Sequence, residues 1–496
     1  MDRARVARST AWSAVENGGL AMVSFASLVI YARFLSPSDF GLFSIVLALV
    51  ELLDVLVSML FHDALVQKKE VSDLHFDTAF TASMVLAFAL FAACWCVAPT
   101  FAGLVHNAQA ARVLSWTALR FPFTALGAII VARQRRELAF KVLAIRSLVG
   151  RISGAVLGIG LVALGAGVWG LVVQQVAIAG AASLVLWAGA PQRPRLRFAR
   201  RALRELIGFG AYAVSGIFLN FAVKRVYTIV AGVMLGTELA GFLNIGFRAV
   251  DVLWAIAATA VGQVGLPVLA RLQSDPPRLR SAYCAALEFT CLLLYPCFCG
   301  IALVAPVVVE LLFGARWLAS APYVMVLALL ALVQAPRLLM TPALTALGRP
   351  RDALAGLAVE LAIVIGLLAT VGAHTLRWAV GIWVIREVAS APVMTRLVRR
   401  ATGLGAGAHL RAVAGPLLAS ACMGVVMIAI RRVLPTGMPA PARLAILVPL
   451  GAAIFLGAAW TFDRKAMQRL LDFVASVARP PTVMPSAESG AALESK

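Results

Sequence analysis

The sequence predicts an all-α, polytopic membrane protein with about 14 transmembrane helices: two six-helix lobes forming a parallel pseudo-repeat, plus two C-terminal helices. Three observations predict it. Of 496 residues, 61% are hydrophobic and 14% charged. That is more apolar surface than a soluble domain can hide, because a soluble domain also needs polar side chains for its outside. The apolar residues come in runs of roughly 20, the length at which a helix crosses about 30 Å of hydrocarbon. Lys and Arg gather in every second connection between the runs, as positive-inside topology requires.

In chain order the spans are 11–34, 40–66, 77–102, 110–131, 142–164 and 167–188, then 206–235, 239–270, 282–312, 319–346, 353–373 and 376–397, and last 410–431 and 441–462. Helix rather than barrel strand follows from the run lengths and from the missing period-two alternation. Arg3, Arg5 and Arg8 precede the first run. That run is too long for a signal peptide and contains Glu16 and Asn17, so it reads as a retained span. The connections on one side, with both termini, carry about 29 Lys and Arg, and those on the other about 7. The bias places both termini in the cytoplasm and also supports the even span count, since adding or removing one span scrambles the alternation.

These spans divide the chain into an N-terminal lobe, 1–188, a basic cytoplasmic linker, 189–205, and a C-terminal lobe, 206–397. Two extra helices fill 398–462. Residues 463–478 place Met467, Leu470, Leu471, Val474 and Val477 at helical spacing among Arg464, Lys465 and Arg469, a helix lying on the membrane surface. The Pro-, Ser-, Gly- and Glu-rich 479–496 reads as disordered.

An internal repeat supports the two lobes. With an offset of 200, Leu35 meets Leu235, Gly41 meets Gly241, Ile45 meets Ile245 and Leu53 meets Leu253, and Glu51 falls opposite Asp251. The offset carries the first span onto the seventh. The copies are displaced by six spans, an even number, so both have the same orientation. This is the parallel-repeat design of transporters that hold substrate between halves.

Other function classes fit poorly. A net charge of +21 invites a nucleic-acid reading, but the basic residues are spread over many short loops and topology accounts for them. The seven cysteines form no C-x-x-C and lie mostly in apolar runs, and the five histidines are scattered, so neither disulfide framework nor metal site is expected, and no cofactor. The sequence has no G-x-x-x-x-G-K-[ST] and no G-x-S-x-G, and its longest polar interruption, about 17 residues, leaves no room for a catalytic domain. The chain reads as a non-enzyme.

The chemistry lies in charges within the spans, each of which costs about 2.5–3.5 kcal/mol at mid-membrane and so faces a cavity or a partner. Arg120, Lys224, Arg225, Arg248, Arg337 and Arg386 are the candidate substrate-binding cations of a central cavity. Glu16, Glu51, Asp54 and Asp251 are candidates for coupling to H+ or Na+. Bland readings compete. Arg146 and Arg151 lie near enough to the cytoplasmic end to snorkel, and Arg248 and Asp251, three apart on one helix, are placed to neutralise each other. Arg386 and Glu387 are adjacent, point differently, and each need another partner. Surplus Arg favours an anion, since guanidinium donors match phosphate oxygens two at a time.

Several stretches, in order, resemble bacterial polysaccharide exporters of the multidrug/oligosaccharidyl-lipid/polysaccharide superfamily, nearest the lipopolysaccharide/exopolysaccharide branch. They are YARFLSPSDFGLF (31–43), ALVQKK (64–69), LGTELAGFL (235–243), LPVLARLQSDPPRLR (266–280), LLFGARWLASAP (311–322) and LTALGRPR (344–351). The resemblance implies a flippase of the bacterial inner membrane. Such a protein moves undecaprenyl-pyrophosphate-linked oligosaccharide from the cytoplasmic to the periplasmic leaflet, among the polymerase and glycosyltransferases of its pathway. On that reading Arg225 and Arg337 contact the pyrophosphate. Relatives commonly have Asp near Tyr227, a departure that removes any acid-based coupling there. The competing readings are a cation-coupled multidrug exporter of the same fold, a peptidoglycan lipid flippase, and a membrane glycan polymerase or ligase. The last is disfavoured by the short outer loops.

Overall fold

The computed structural model describes the backbone of residues 3–190, 192–433, 435, 438–464 and 466–469. Within its helices the side chains of 3–17, 209, 211–213, 252, 256, 258–271 and 406 are not described. The described residues contain helix and no strand. The first half holds α1 (Arg3–Phe34), α2 (Pro37–Met59), α3 (His62–Gln67), α4 (Asp73–Val105), α5 (Gln109–Thr117), α6 (Arg120–Arg136), α7 (Phe140–Ala163) and α8 (Val168–Gly189). The second holds α9 (Arg200–Leu235), α10 (Thr237–Arg271), α11 (Pro276–Phe313), α12 (Ala321–Gln334), α13 (Met340–Ala346), α14 (Pro350–Thr370) and α15 (Leu376–Thr402). Then follow α16 (Ala406–Val433) and α17 (Ala440–Phe462). Short 3-10 segments, Ala315–Ser320 and Ala335–Leu339, flank α12.

Eleven helical stretches among the described residues are long and apolar enough to cross a membrane. Three further helices stand where the first, eighth and twelfth spans are predicted: α1, whose described apolar part is Gly18–Phe34, α10, and α15 with Arg386 and Glu387 at its middle. The all-helical membrane class stands, and the figure of 14 holds if those three also cross. Apolar side chains coat the outside as well as the core. Val85, Phe88 and Trp95 on α4 and Leu417, Leu418 and Val425 on α16 are exposed, as expected where lipid is the solvent.

Helices α1–α8 pack largely among themselves, as do α9–α15, while α16 and α17 lean on α11. The halves meet chiefly where α2 lies against α9 and α10. Here the repeat takes physical form. The serine before α2 caps it in a capping box, Ser36 Oγ accepting from the Asp39 N–H at 3.1 Å. A Cβ added to Gly41 would collide with the Thr237 carbonyl, and one added to Gly241 with the Pro37 carbonyl. Pro37 and Thr237 are themselves 200 apart, so each glycine receives the other copy's helix start. Ser38 and Thr237 join across the same contact, their hydroxyl oxygens 2.8 Å apart.

Trp317 seals this end. It is fully buried, its indole N–H donates to the Ala32 carbonyl at 2.8 Å, and its ring meets Phe40 and Phe242 edge-on at 5.4 and 5.9 Å. Arg33 donates to the Leu311 carbonyl and Arg316 to the Leu35 carbonyl. At the opposite end, residues of the linker hold the first half. Arg195 N–H donates to Asp77 Oδ1 at 2.8 Å, Ala199 N–H to Thr78 Oγ1 at 3.2 Å, and Thr81 Oγ1 to the Arg197 carbonyl at 3.0 Å. Glu205, exposed on the first turns of α9, takes Lys68, His75 and Arg201, and these hydrogen bonds hold its carboxyl down to about 2. The predicted surface helix at 463–478 is described only as far as Arg469. Its Met467 is buried against the α11–α16–α17 cluster, and Arg469 pairs with Glu288 at 3.0 Å. The predicted disordered tail, 479–496, lies outside the described residues.

Candidate functional site

The largest group of intramembrane charges surrounds a cavity of about 440 Å³ within the second half. The 3-10 segment brings Arg337 between α14 and α15, where it donates to Glu360 with one nitrogen and to Glu387 with the other. Arg386 does the same, reaching Glu360 at 2.7 Å and Glu387. The four side chains close a ring of two cations and two anions. Gln334 and Ser390 complete it at 2.9 and 3.1 Å, and the Arg386 guanidinium lies over the Trp383 ring at 4.0 Å. Glu360, Arg386 and Glu387 are buried. Buried ions persist when paired and hydrogen-bonded, and loss of one partner strands the others. Arg386 and Glu387 therefore satisfy each other as well as their other partners, against the expectation that adjacency keeps them apart. On the facing wall Lys224 of α9 sits 2.6 Å from both oxygens of Asp251 on α10. The expected Arg248–Asp251 neutralisation does not form.

In the first half Arg120, at the start of α6, pairs with Asp54 at 3.0 Å and donates to Gln175 at 3.2 Å. They face a separate cavity of about 260 Å³ with His62 and Arg146. Between the halves Arg225 meets Glu51 at 2.5 Å, as an ion pair. Glu16 lies outside the residues whose side chains are described. Tyr227 is buried and donates to the Ala379 carbonyl at 2.6 Å, which makes it a packing group.

Of the six candidate cations, five thus hold a carboxylate. Arg248 does not. It lines a third cavity, of about 90 Å³, where α10 meets α1, α2, α7 and α8, together with Arg151. Among the described residues neither makes an ion pair or a hydrogen bond, and Arg151 Nε is buried without a partner. The two guanidiniums repel each other, and Glu51, whose carboxylate contacts Arg225, is the acid whose field reaches Arg151. Ser24, Ser27, Gln174, Gln175 and Asn244 add polar groups to the lining, and Leu28, Phe40, Phe43, Leu47 and Leu171 make the rest of it largely apolar. The volume holds a handful of waters at about 15 Å³ of probe-occupied space each, or one phosphoryl group. The cations do not share one cavity. Five of the six are distributed over three cavities while Arg225 lines none of these, and among the described residues the cavity between the halves is lined by two arginines and no acid.

Sequence reasoning read Arg151 as snorkelling, and the structure places it against this third cavity. A signal was present: no Asp or Glu occurs anywhere in α7 or α8, so Arg146 and Arg151 have no local acid.

Comparison with known proteins bears on this geometry. Residues 30–322, more than half of the chain, match the family described as Polysaccharide biosynthesis protein. The chain is 26% identical over 326 residues to the succinoglycan biosynthesis transport protein ExoT of Rhizobium meliloti, covering 65% of this chain and 66% of that one, just under two thirds. It is 24% identical over 420 residues to the teichuronic acid biosynthesis protein TuaB of Bacillus subtilis, covering 81% and 84%. It is 22% identical over 331 residues to the lipopolysaccharide biosynthesis protein WzxC of Escherichia coli, covering 65% and 66%. Among solved structures, the lipid II flippase MurJ in an inward closed conformation superposes with a TM-score of 0.73 over 92% of this chain and 99% of that one, at 13% identity. An inward-facing multidrug resistance transporter of the MATE family superposes at 0.58 over 77% and 94%, at 16% identity. These likenesses establish the fold.

Proposed function

Because the chain belongs to the polysaccharide biosynthesis protein family and is similar to the succinoglycan biosynthesis transport protein ExoT, we propose that it flips a lipid-linked oligosaccharide across the bacterial inner membrane. Its phosphate would be held between the halves by Arg151 and Arg248. The single observation that carries this reading is that pair of arginines, which face a partly polar cavity and, among the described residues, pair with no acid. An unpaired cation inside a span is tolerated where it lines a wet cavity, and marks a substrate path by default. Each guanidinium offers two aligned donors to phosphate oxygens and keeps its charge when water leaves. Arg225 and Arg337, expected from sequence to take the pyrophosphate, each already hold carboxylates, so the phosphate role passes to the free pair.

The substrate is undecaprenyl-pyrophosphate-linked oligosaccharide, its tail remaining in lipid while the headgroup crosses from cytoplasmic to periplasmic leaflet, with both termini cytoplasmic. Exchange of leaflets requires the contacts around Trp317 to part on one side while the linker end closes on the other. A proton or sodium ion arriving at Glu51, Asp54 or Asp251 has to displace the Arg or Lys already there, so any coupling acts by releasing a base.

The test is binding of undecaprenyl pyrophosphate to the full-length protein in lipid nanodiscs. Hydrogen bonds to charged groups contribute about 1.5–3 kcal/mol, so Arg151→Gln and Arg248→Gln should each weaken binding about 10- to 100-fold. Unchanged affinity in both variants overturns the assignment.

A further inference from the structure

We infer that the 440 Å³ cavity of the second half is the pocket for the sugars of the headgroup, and that it selects uncharged hexoses. This rests on the flippase reading above and adds where the glycan sits and of what class it is. The first argument is position. Arg248 and Asp251 are three residues apart on α10, so their Cβ atoms lie about 5–6 Å apart on neighbouring positions of one helix face. Arg248 lines the cavity between the halves and Asp251 the cavity of the second half. A phosphate held by Arg248 therefore delivers its attached sugar to the rim of the larger cavity.

The second argument is lining. Phe247, Asp251 and Trp254 recur at helical spacing and all face this cavity. Trp254 is half-buried and packs against Phe298, ring centroids 4.9 Å apart. A pyranose presents an apolar face of C–H groups and a rim of hydroxyls. An indole ring covers the first. Polar side chains serve the second: the amides of Asn220 and Gln334 both donate and accept, the Lys224 ammonium donates and the Asp251 carboxylate accepts. The volume lies within the ordinary range for small-molecule sites, about 300–1,000 Å³.

The third argument is charge. The described lining holds Lys224, Arg337 and Arg386 against Asp251, Glu360 and Glu387, three of each sign. The cavity between the halves holds two cations and no acid. The balanced cavity offers hydrogen bonds without net charge, which suits a neutral glycan. A uronic acid entering it brings a charge that the cavity does not match.

Two ligands separate this inference from the reading on which it rests: bare undecaprenyl pyrophosphate, and the same lipid carrying a neutral hexose trisaccharide. Both are titrated against the full-length protein in nanodiscs. The glycosylated lipid should bind about tenfold more tightly than the bare one, a difference of about 1.4 kcal/mol. Trp254→Ala and Asn220→Ala should erase that advantage and leave bare-lipid binding unchanged, while Trp254→Phe keeps most of it and shows that the fold tolerates change there. Equal binding of the two lipids by the wild type overturns the sugar pocket, as does a Trp254→Ala loss equal for both. A trisaccharide with one uronic acid should bind less tightly than the neutral one, and equal or tighter binding overturns the selectivity. Failure of the bare lipid to respond to both Arg151→Gln and Arg248→Gln would instead sink the phosphate site.

Discussion

The cavity inside the second half and the cavity between the halves solve the same problem in opposite ways. Both place arginines inside membrane spans. In the first, Arg337 and Arg386 are locked by Glu360 and Glu387, and Lys224 by Asp251. In the second, Arg151 and Arg248 have no such acid. The first arrangement stabilises the protein without a ligand and leaves little charge to offer. The second leaves charge free and places it where the halves meet, so whatever neutralises it also bridges them. Counting arginines does not distinguish these cases; counting their acids does.

The comparison breaks most readily at Arg337. Removing one member of a buried ionic cluster leaves the rest uncompensated, at about 3–5 kcal/mol. Arg337→Gln should therefore lower the thermal unfolding temperature and the membrane abundance sharply. If Arg337→Gln is stable and normally abundant, the ring is not structural. At the other cavity the sign reverses. Arg248→Gln removes a repulsion, so ligand-free thermal stability should stay level or rise, while surface polysaccharide export falls about 10- to 100-fold. A variant that loses stability and export together would erase the distinction between the cavities.

Smaller changes sharpen the picture at the ends of the molecule. Gly41→Ala drives a methyl into the Thr237 backbone, an overpacking worth about 1–3 kcal/mol. Thermal unfolding should show it, and Gly241→Ala should match it if the two copies are equivalent. The smallest effect is expected at Glu205, outside both cavities. Its carboxyl is held down to about 2 by Lys68, His75 and Arg201, below the ordinary value near 4.3. Its contribution is thus complete above the ordinary value and disappears as pH falls toward 2. Glu205→Gln should unfold slightly earlier than wild type at pH 7, and the gap should close between pH 4 and 2.

Much of this was legible in the sequence. Run length and charge alternation mark the helices, because burial in lipid imposes both. The offset of 200 found the paired glycines, since a backbone-to-backbone approach leaves no room for a side chain. The choice of partners was not legible. Spacing on α10 favours Arg248 with Asp251, yet Lys224 on α9 takes the acid from across the helix pair. Distances between helices decide such contests, and sequence separation is silent on them. Arg151 was passed over for the same reason: its importance is set by α10, about a hundred residues on, and not by its own helix.

The reciprocal seating of Gly41 and Gly241 carries an implication for origin. In a symmetric homodimer, residue i of one subunit touches residue j of the other, and j touches i in return. The contact of Gly41 with Thr237 and of Gly241 with Pro37 has this isologous form, drawn within one polypeptide. Two identical half-length chains bearing such a turn would dock through it with each contact made twice. Gene fusion would then have freed the copies to diverge, one keeping its acid for a base across the divide and the other for a neighbour on its own side, as Glu51 and Asp251 do here.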